Sequence, residues 1–121
     1  MVCSMMDARR KEVYWCLYRQ EEDGLTPLTD EMVGDALDVL DNLEQACTFV
    51  GNGAQVYRAK LEHARHRHPD HWPPAERHIL SAAVLARLAW YRIQRGERDN
   101  VRHFAPVYLR KSDAESKRGA P

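Results

Sequence analysis

Apolar residues in this chain recur first at every second position and later at every third or fourth. Residues 2–6, VCSMM, form a short apolar run, and residues 12–19, EVYWCLYR, are rich in aromatic and β-branched side chains. Both read as strands. The intervening DARRK suits a four-residue hairpin loop over Ala8 to Lys11, which sets Asp7 opposite Glu12, Met6 opposite Val13 and Cys3 opposite Cys16. Alternation sends Val13, Trp15 and Leu17 to one face and Tyr14, Cys16 and Tyr18 to the other. Both faces are apolar, which predicts cover on both sides. Residues 21–28, EEDGLTPL, are turn chemistry around Gly24 and Pro27, with a short third strand near Leu25 to Leu28.

The period then lengthens. Thr29 is placed to cap a helix with Asp30 and Glu31 in its first turn, and Val33, Leu37 and Leu40 give that helix an apolar stripe. Residues 46–54, ACTFVGNGA, read as a buried strand running into a glycine turn. A helix from about Gln55 to His68 follows, with Tyr57, Leu61 and Ala64 inward. Prolines 69, 73 and 74 interrupt it. The longest helix is predicted from about Ala75 to Arg95, where Ile79, Ala83, Ala86, Trp90 and Ile93 make a core-facing stripe and Gly96 ends it. A final extended segment at 104–111 and a disordered tail at 116–121 complete the chain. The fold class is therefore α/β, a mixed sheet with helices on at least one face. Residues 1–115 are expected to form one α/β domain, with Val13, Trp15, Leu17, Phe49, Leu85 and Trp90 in its core.

Charge changes this picture more than composition does. The net charge is zero, but residues 1–50 hold 4 basic and 11 acidic side chains while residues 51–121 hold 14 basic and 7 acidic. Either the two halves face each other in one fold, or the basic half meets RNA or an acidic partner. Cys3, Cys16 and Cys47 are too few and odd in number for a disulfide framework, which fits a reducing, cytoplasmic compartment. No apolar run approaches the roughly 20 residues that span a bilayer, and the start has no signal-peptide pattern, so neither export nor membrane association is expected.

Candidate chemistry is sparse. His63, His66, His68, His71 and His78 crowd one stretch, but no Cys or Glu stands at ligand spacing, so a solvated basic surface is expected and no metal site. Gly51, Asn52 and Gly53 lie between a strand and a helix, the setting in which backbone N–H groups receive phosphates; the same residues equally make a plain tight turn. None of Ser4, Ser81, Ser112 and Ser116 lies in a GxSxG elbow, Cys16 sits mid-strand, and Asp7 beside Arg9 is the kind of residue that caps its own turn. No catalytic residue is assigned.

Three stretches together resemble one family. MMDARRKEVYWCLYR (5–19), FVGNGAQVY (49–57) and FAPVYLRKSDAE (104–115) are similar, in order and spacing, to the DARxGEVYWxxY hairpin, the VGxG strand–turn–helix and the C-terminal PxYLR segment of the bacterial TsaB/YeaZ proteins. Lys11 stands where that family has glycine, which predicts a hairpin turn without positive φ there. Family members are about twice as long and begin with an IDTS-like strand and a GPGSFTGLR-like loop, neither of which is present. The resemblance is therefore to the C-terminal lobe of a two-lobe fold of the actin/Hsp70-like, ribonuclease H-like (ASKHA) class.

The resemblance implies a non-catalytic partner in making threonylcarbamoyladenosine on tRNA, beside a TsaD-like catalytic subunit and a TsaE-like ATPase, with tRNA met only indirectly. It also implies that Gly51, Asn52 and Gly53 occupy the place of an adenosine-contacting turn, here a remnant, so no cofactor is expected. A nucleotide- or RNA-binding module using that turn and the basic half is the alternative, and a glycoprotease-like hydrolase is a third reading that the residues do not support. Pro106, Val107, Tyr108, Leu109 and Arg110 are expected to run extended, Val107 and Leu109 to one side, at a homodimer contact or folded back on their own helices.

Overall fold

The computed structural model describes residues 1–22 and 24–110. The chain divides into two compact units, Met1–Ile79 and a second that starts at Leu80. The expectations for residues 111–121, the tail included, lie outside the described residues.

The first unit is built on a mixed sheet. Strands β1 (Val2–Arg9) and β2 (Glu12–Glu21) form an antiparallel hairpin, β3 (Gly24–Pro27) and β4 (Met32–Asp35) both pair with β2, and β5 (Thr48–Val50) runs parallel to β1. Helix α1 (Asn52–Ala64) follows β5 directly. The hairpin register differs by one residue from the expected one: Cys3 faces Leu17, Ser4 faces Cys16 and Asp7 faces Val13. A bulge between Asp7 and Arg9 takes up the extra residue, and the turn is left-handed throughout, with φ of 63° at Arg9, 54° at Arg10 and 67° at Lys11. Lys11 therefore adopts the positive φ that its missing glycine would have supplied. Cys3 and Cys16 consequently lie on opposite faces of the sheet, and the cysteine on the face of Cys3 is Cys47, two residues before its partner Phe49.

One face of the sheet carries the core. Cys3, Met5, Val13, Trp15, Leu17 and Phe49 project there and meet Ala54 and Leu61 of α1 together with Ala36, Val39 and Leu43. The other face is only partly covered, with Val2, Tyr14, Tyr18 and Val50 half-buried and Met6 49% exposed. Cover on both sides, expected from the apolar character of β2, holds only at Cys16, whose thiol donates to the Thr29 carbonyl at 3.3 Å.

The stretch after Thr29 is a strand and not a helix. Met32–Asp35 pairs with Glu12–Trp15 along an edge of β2 that β3 leaves free, and the Thr29 hydroxyl accepts from Leu17 N (3.1 Å) instead of capping. A 3-10 turn at Asp38–Asn42 then buries Val39. The segment after α1 also departs from expectation. His71 bridges Thr48 in parallel, with Phe49 N donating to His71 O and His71 N to Cys47 O, so residues around 71 extend the sheet by one rudimentary strand.

The predicted long helix from Ala75 is two elements, a 3-10 turn at Ala75–His78 and, in the second unit, α2 (Ala82–Gln94). Ser81 starts α2, its hydroxyl accepting from Val84 N at 3.4 Å. Gly96, at φ 79°, ends it in a Schellman motif: Gly96 N donates to Ile93 O and Glu97 N to Arg92 O. No α2 residue is buried; Leu85 is 69% and Trp90 58% exposed, against the expectation that they join the core. Periodicity marks a face that requires a partner, and it does not say that the partner belongs to the same chain.

Candidate functional site

The glycine turn is shaped by the close approach of α1 to β1. A Cβ on Gly51, which has φ 98°, would collide with the Met5 carbonyl oxygen, and one on Gly53 would sit 2.9 Å from the Met6 carbonyl carbon. Asn52 between them accepts from Asp7 N through its side-chain oxygen (3.2 Å). Each residue of the turn thus has a packing reason to be what it is: two glycines let backbone meet backbone, and the amide ties the helix start to the end of β1. Asp7 has two uses, since its carboxylate also accepts from Arg9 N (3.0 Å) inside its own hairpin turn.

Beside this turn, the first unit has a cleft of about 290 Å³ lined by Gln55 and Arg58 of α1 and by Trp72, Pro73, Pro74, Ala75 and His78. Trp72 forms its floor. The indole stacks on Phe49 at 4.6 Å between ring centroids, and the Arg58 guanidinium lies 5.3 Å over the same indole while its Nε donates to Glu62 (2.8 Å). His78 closes the cleft: Nδ1 is 3.1 Å from the Gly51 carbonyl oxygen and Nε2 is 2.9 Å from that of Pro73. The cleft thus offers the Gln55 amide and the Arg58 guanidinium, the latter already shared between the Trp72 ring and Glu62.

The loop that carries Trp72 is anchored by a buried ion pair. Arg65 Nε donates to Asp70 Oδ2 at 2.6 Å and its NH2 to Oδ1 at 3.1 Å, with both side chains about 5% exposed. The same guanidinium donates to the carbonyls of Leu43 (3.3 Å) and Gln45 (2.9 Å), and Asp70 Oδ1 accepts from Cys47 N (2.9 Å). One arginine therefore joins the end of α1, the chain entering β5 and the strand-like residues at 70–71. Sequence reading missed this pair and the cleft; the one signal was an Asp directly after Pro69, five residues from Arg65.

The remaining candidates do not converge. Among the described residues no group of three or more His, Cys, Asp or Glu could hold a metal ion. His66 Nδ1 is 3.3 Å from the His63 carbonyl oxygen at the end of α1, and His71 serves the sheet through its backbone. All three cysteines are buried thiols. Burial pushes the Cys3 thiol far up and that of Cys47 up to about 11, so neither is a nucleophile near neutral pH. In the second unit, residues 104–110 form no strand; Pro106, Val107 and Tyr108 are exposed and Leu109 and Arg110 half-buried. Among the described residues, no helix is long and apolar enough to cross a membrane.

No protein-family model and no curated protein matches the chain. Solved structures do. One is described as an uncharacterized protein with similarity to peptidase YEAZ from Pseudomonas aeruginosa; it is 27% identical with a TM-score of 0.62, and the match spans 90% of this chain and 49% of that one. YeaZ from Pseudomonas aeruginosa is 25% identical with a TM-score of 0.62, spanning 88% of this chain and 49% of its own. The chain is similar to half of a YeaZ protein. The mixed α/β sheet expected from sequence is that of a YeaZ-like, ASKHA-type lobe. The three motifs place the resemblance in the C-terminal lobe, and the chain spans about half the length of the YeaZ structures it matches. The YeaZ hairpin motif is β1–β2 here, and the VGxG motif is the β5–α1 junction.

Proposed function

We propose that this chain is a non-catalytic scaffold lobe of a TsaB/YeaZ-type protein, supporting a TsaD-like catalytic subunit, with a TsaE-like ATPase, in the formation of threonylcarbamoyladenosine on tRNA in the cytoplasm. The observation that carries the reading is the match itself: about nine-tenths of the chain follows the YeaZ structures while only half of their length is used. The buried thiols and the packing roles of Asp7 and Asn52 favour a structural part over a hydrolytic one, although one neighbour's description includes the word peptidase. The test is reconstitution of tRNA modification with TsaD- and TsaE-like proteins and a polypeptide supplying the other YeaZ half, with and without this chain. The expected result is modification that depends on this chain. Equal modification in its absence refutes the scaffold role.

A second reading is favoured by the cleft of Gln55, Arg58 and Trp72, which stands next to the Gly51–Gly53 turn. In this reading the lobe holds a nucleotide. Calorimetry with ADP decides it, because micromolar affinity abolished by Arg58→Ala would put ligand binding ahead of scaffolding.

A further inference from the structure

His78, at the end of the 3-10 turn Ala75–His78, is the one buried histidine among the described residues. Both of its ring nitrogens face an atom that can only accept. Nδ1 lies 3.1 Å from the Gly51 carbonyl oxygen, and Nε2 lies 2.9 Å from the Pro73 carbonyl oxygen. A neutral imidazole has one N–H and one bare nitrogen. Either tautomer therefore satisfies one carbonyl and sets a lone pair against the other. The imidazolium alone donates to both. The two carbonyls belong to separate parts of the first unit: Gly51 joins β5 to α1, and Pro73 follows Trp72 on the loop that walls the cleft.

We propose that His78 is a protonation-dependent latch on this cleft: the imidazolium ties the Trp72–Pro73 loop to the glycine turn, and the neutral ring lets the loop go, opening the cleft of Gln55 and Arg58. The loop is fastened in two different ways. Its start is pinned by the buried Arg65–Asp70 pair and by the backbone bonds of His71 to β5. From Trp72 onward it is held by the stack of the indole on Phe49 and by the His78 bond to the Pro73 carbonyl. Loss of one proton turns an attraction of 2.9–3.1 Å into a contact of lone pair with lone pair. The movement is local, because the His71 end stays in the sheet and the segment after it swings. The latch acts on the cleft whether or not the cleft holds a ligand.

The surrounding charges are few. Arg58 of α1 lines the same cleft, its guanidinium paired with Glu62 at 2.8 Å. Glu76 and Arg77 precede the ring in its own turn; they are of opposite sign and exposed. The glycine turn and the Pro73–Pro74 stretch bring no ionisable side chain. Two carbonyl dipoles thus favour the cation, while burial and Arg58 oppose it. The sign of the pH dependence follows from the geometry. The latched form has a use for the second proton and the released form has none. The latch is therefore complete below about 6.5, where a free imidazole is already protonated, and it is lost as pH rises and the latched ring gives up its proton.

The test uses the full 121-residue chain with isotope-labelled histidine and tryptophan, read by nuclear magnetic resonance. Its companion is His78→Gln, whose amide offers one donating and one accepting end, as the neutral ring does. At about pH 6 both His78 nitrogens are expected at the chemical shift of a protonated ring nitrogen. They are expected to stay there at about pH 7.5, where the exposed His63, His66 and His68 have become neutral. The Trp72 indole signal is expected to move as His78 loses its proton, and to ignore pH in His78→Gln. In urea unfolding, the stability advantage of the native chain over His78→Gln is expected to be largest at about pH 6. Above the range where the latched ring gives up its proton, the ratio of the two folding constants is expected to fall by up to ~10-fold per pH unit. Three results overturn the latch: a His78 nitrogen already bare at about pH 6 or losing its proton together with the exposed histidines, a Trp72 signal indifferent to the His78 titration, or an advantage over His78→Gln that does not change with pH. If His78→Gln does not fold, the His78 and Trp72 signals of the native chain, assigned through the backbone, carry the decision.

Discussion

Removing Arg65 is expected to destabilise the first unit more than any other single polar change. The guanidinium is 6% exposed and makes four hydrogen bonds, two to the Asp70 carboxylate and one each to the Leu43 and Gln45 carbonyls. In Arg65→Ala the carboxylate stays buried with the Cys47 N–H as its remaining donor, and two carbonyls lose a partner. Breaking a buried pair from one side costs about 3–5 kcal/mol, because a charge is stranded without compensation. Domains of this size hold roughly 5–15 kcal/mol in total, so the variant sits near the edge of folding. Urea unfolding followed by tryptophan emission measures the loss, with Trp15 and Trp72 both in this unit. The companion variant, Arg65→Met with Asp70→Leu, removes both charges together and is expected to recover much of the loss. A cost below ~1 kcal/mol for Arg65→Ala, or a double variant no better than the single one, would refute the reasoning.

Gly51→Ala, which forces a side chain into positive φ against the Met5 carbonyl, is expected to cost at least about 1–3 kcal/mol in the same urea assay. Gly96→Ala is expected to lower the thermal stability of α2 by about 1 kcal/mol through its left-handed cap, read by circular dichroism at 222 nm; an unchanged melting curve would reject the cap. Stability should also fall at alkaline pH. The Cys47 thiol titrates near 9 when exposed and near 11 when folded, so the unfolded chain releases its proton first. The stabilisation is full below about 9 and is lost as pH rises towards about 11, and Cys47→Ala should flatten that decline. Native thiols are accordingly expected to resist iodoacetamide at pH 8 until urea is added.

The β1–β2 hairpin and the β5–α1 junction were legible because their signals are local. Alternation in EVYWCLYR and glycines between an apolar run and a helix each have one reading over a few residues. The register was not legible, because the bulge at Ala8 depends on three consecutive residues accepting positive φ, a conformation none of their side chains advertises. Residues 29–40 carried a good helix signature, and it lost to the vacant edge of β2, a partner more than 15 residues upstream that no window of sequence displays. The missed parts of the site have the same cause. Trp72 and Arg58, or Arg65, Asp70 and Leu43, meet only after the chain has returned past β5. For α2 the pattern was read correctly as an apolar stripe, but the identity of the covering surface is not encoded in the stripe.

The junction of α1 with β1 has a consequence for the order of assembly. Met5 with Gly51, Met6 with Gly53 and Asp7 with Asn52 are contacts between segments about 45 residues apart, and backbone fits against backbone there with no room for adjustment. The β1–β2 hairpin can form from its own short loop, but α1 cannot settle until a loop of that length has closed onto it. Closing such a loop costs chain entropy before any contact returns it. The glycine turn is therefore expected to form late and to limit the folding rate. Changes at Gly51 should slow refolding in stopped-flow mixing, whereas changes in the Trp72 loop, which docks afterwards, should mainly hasten unfolding.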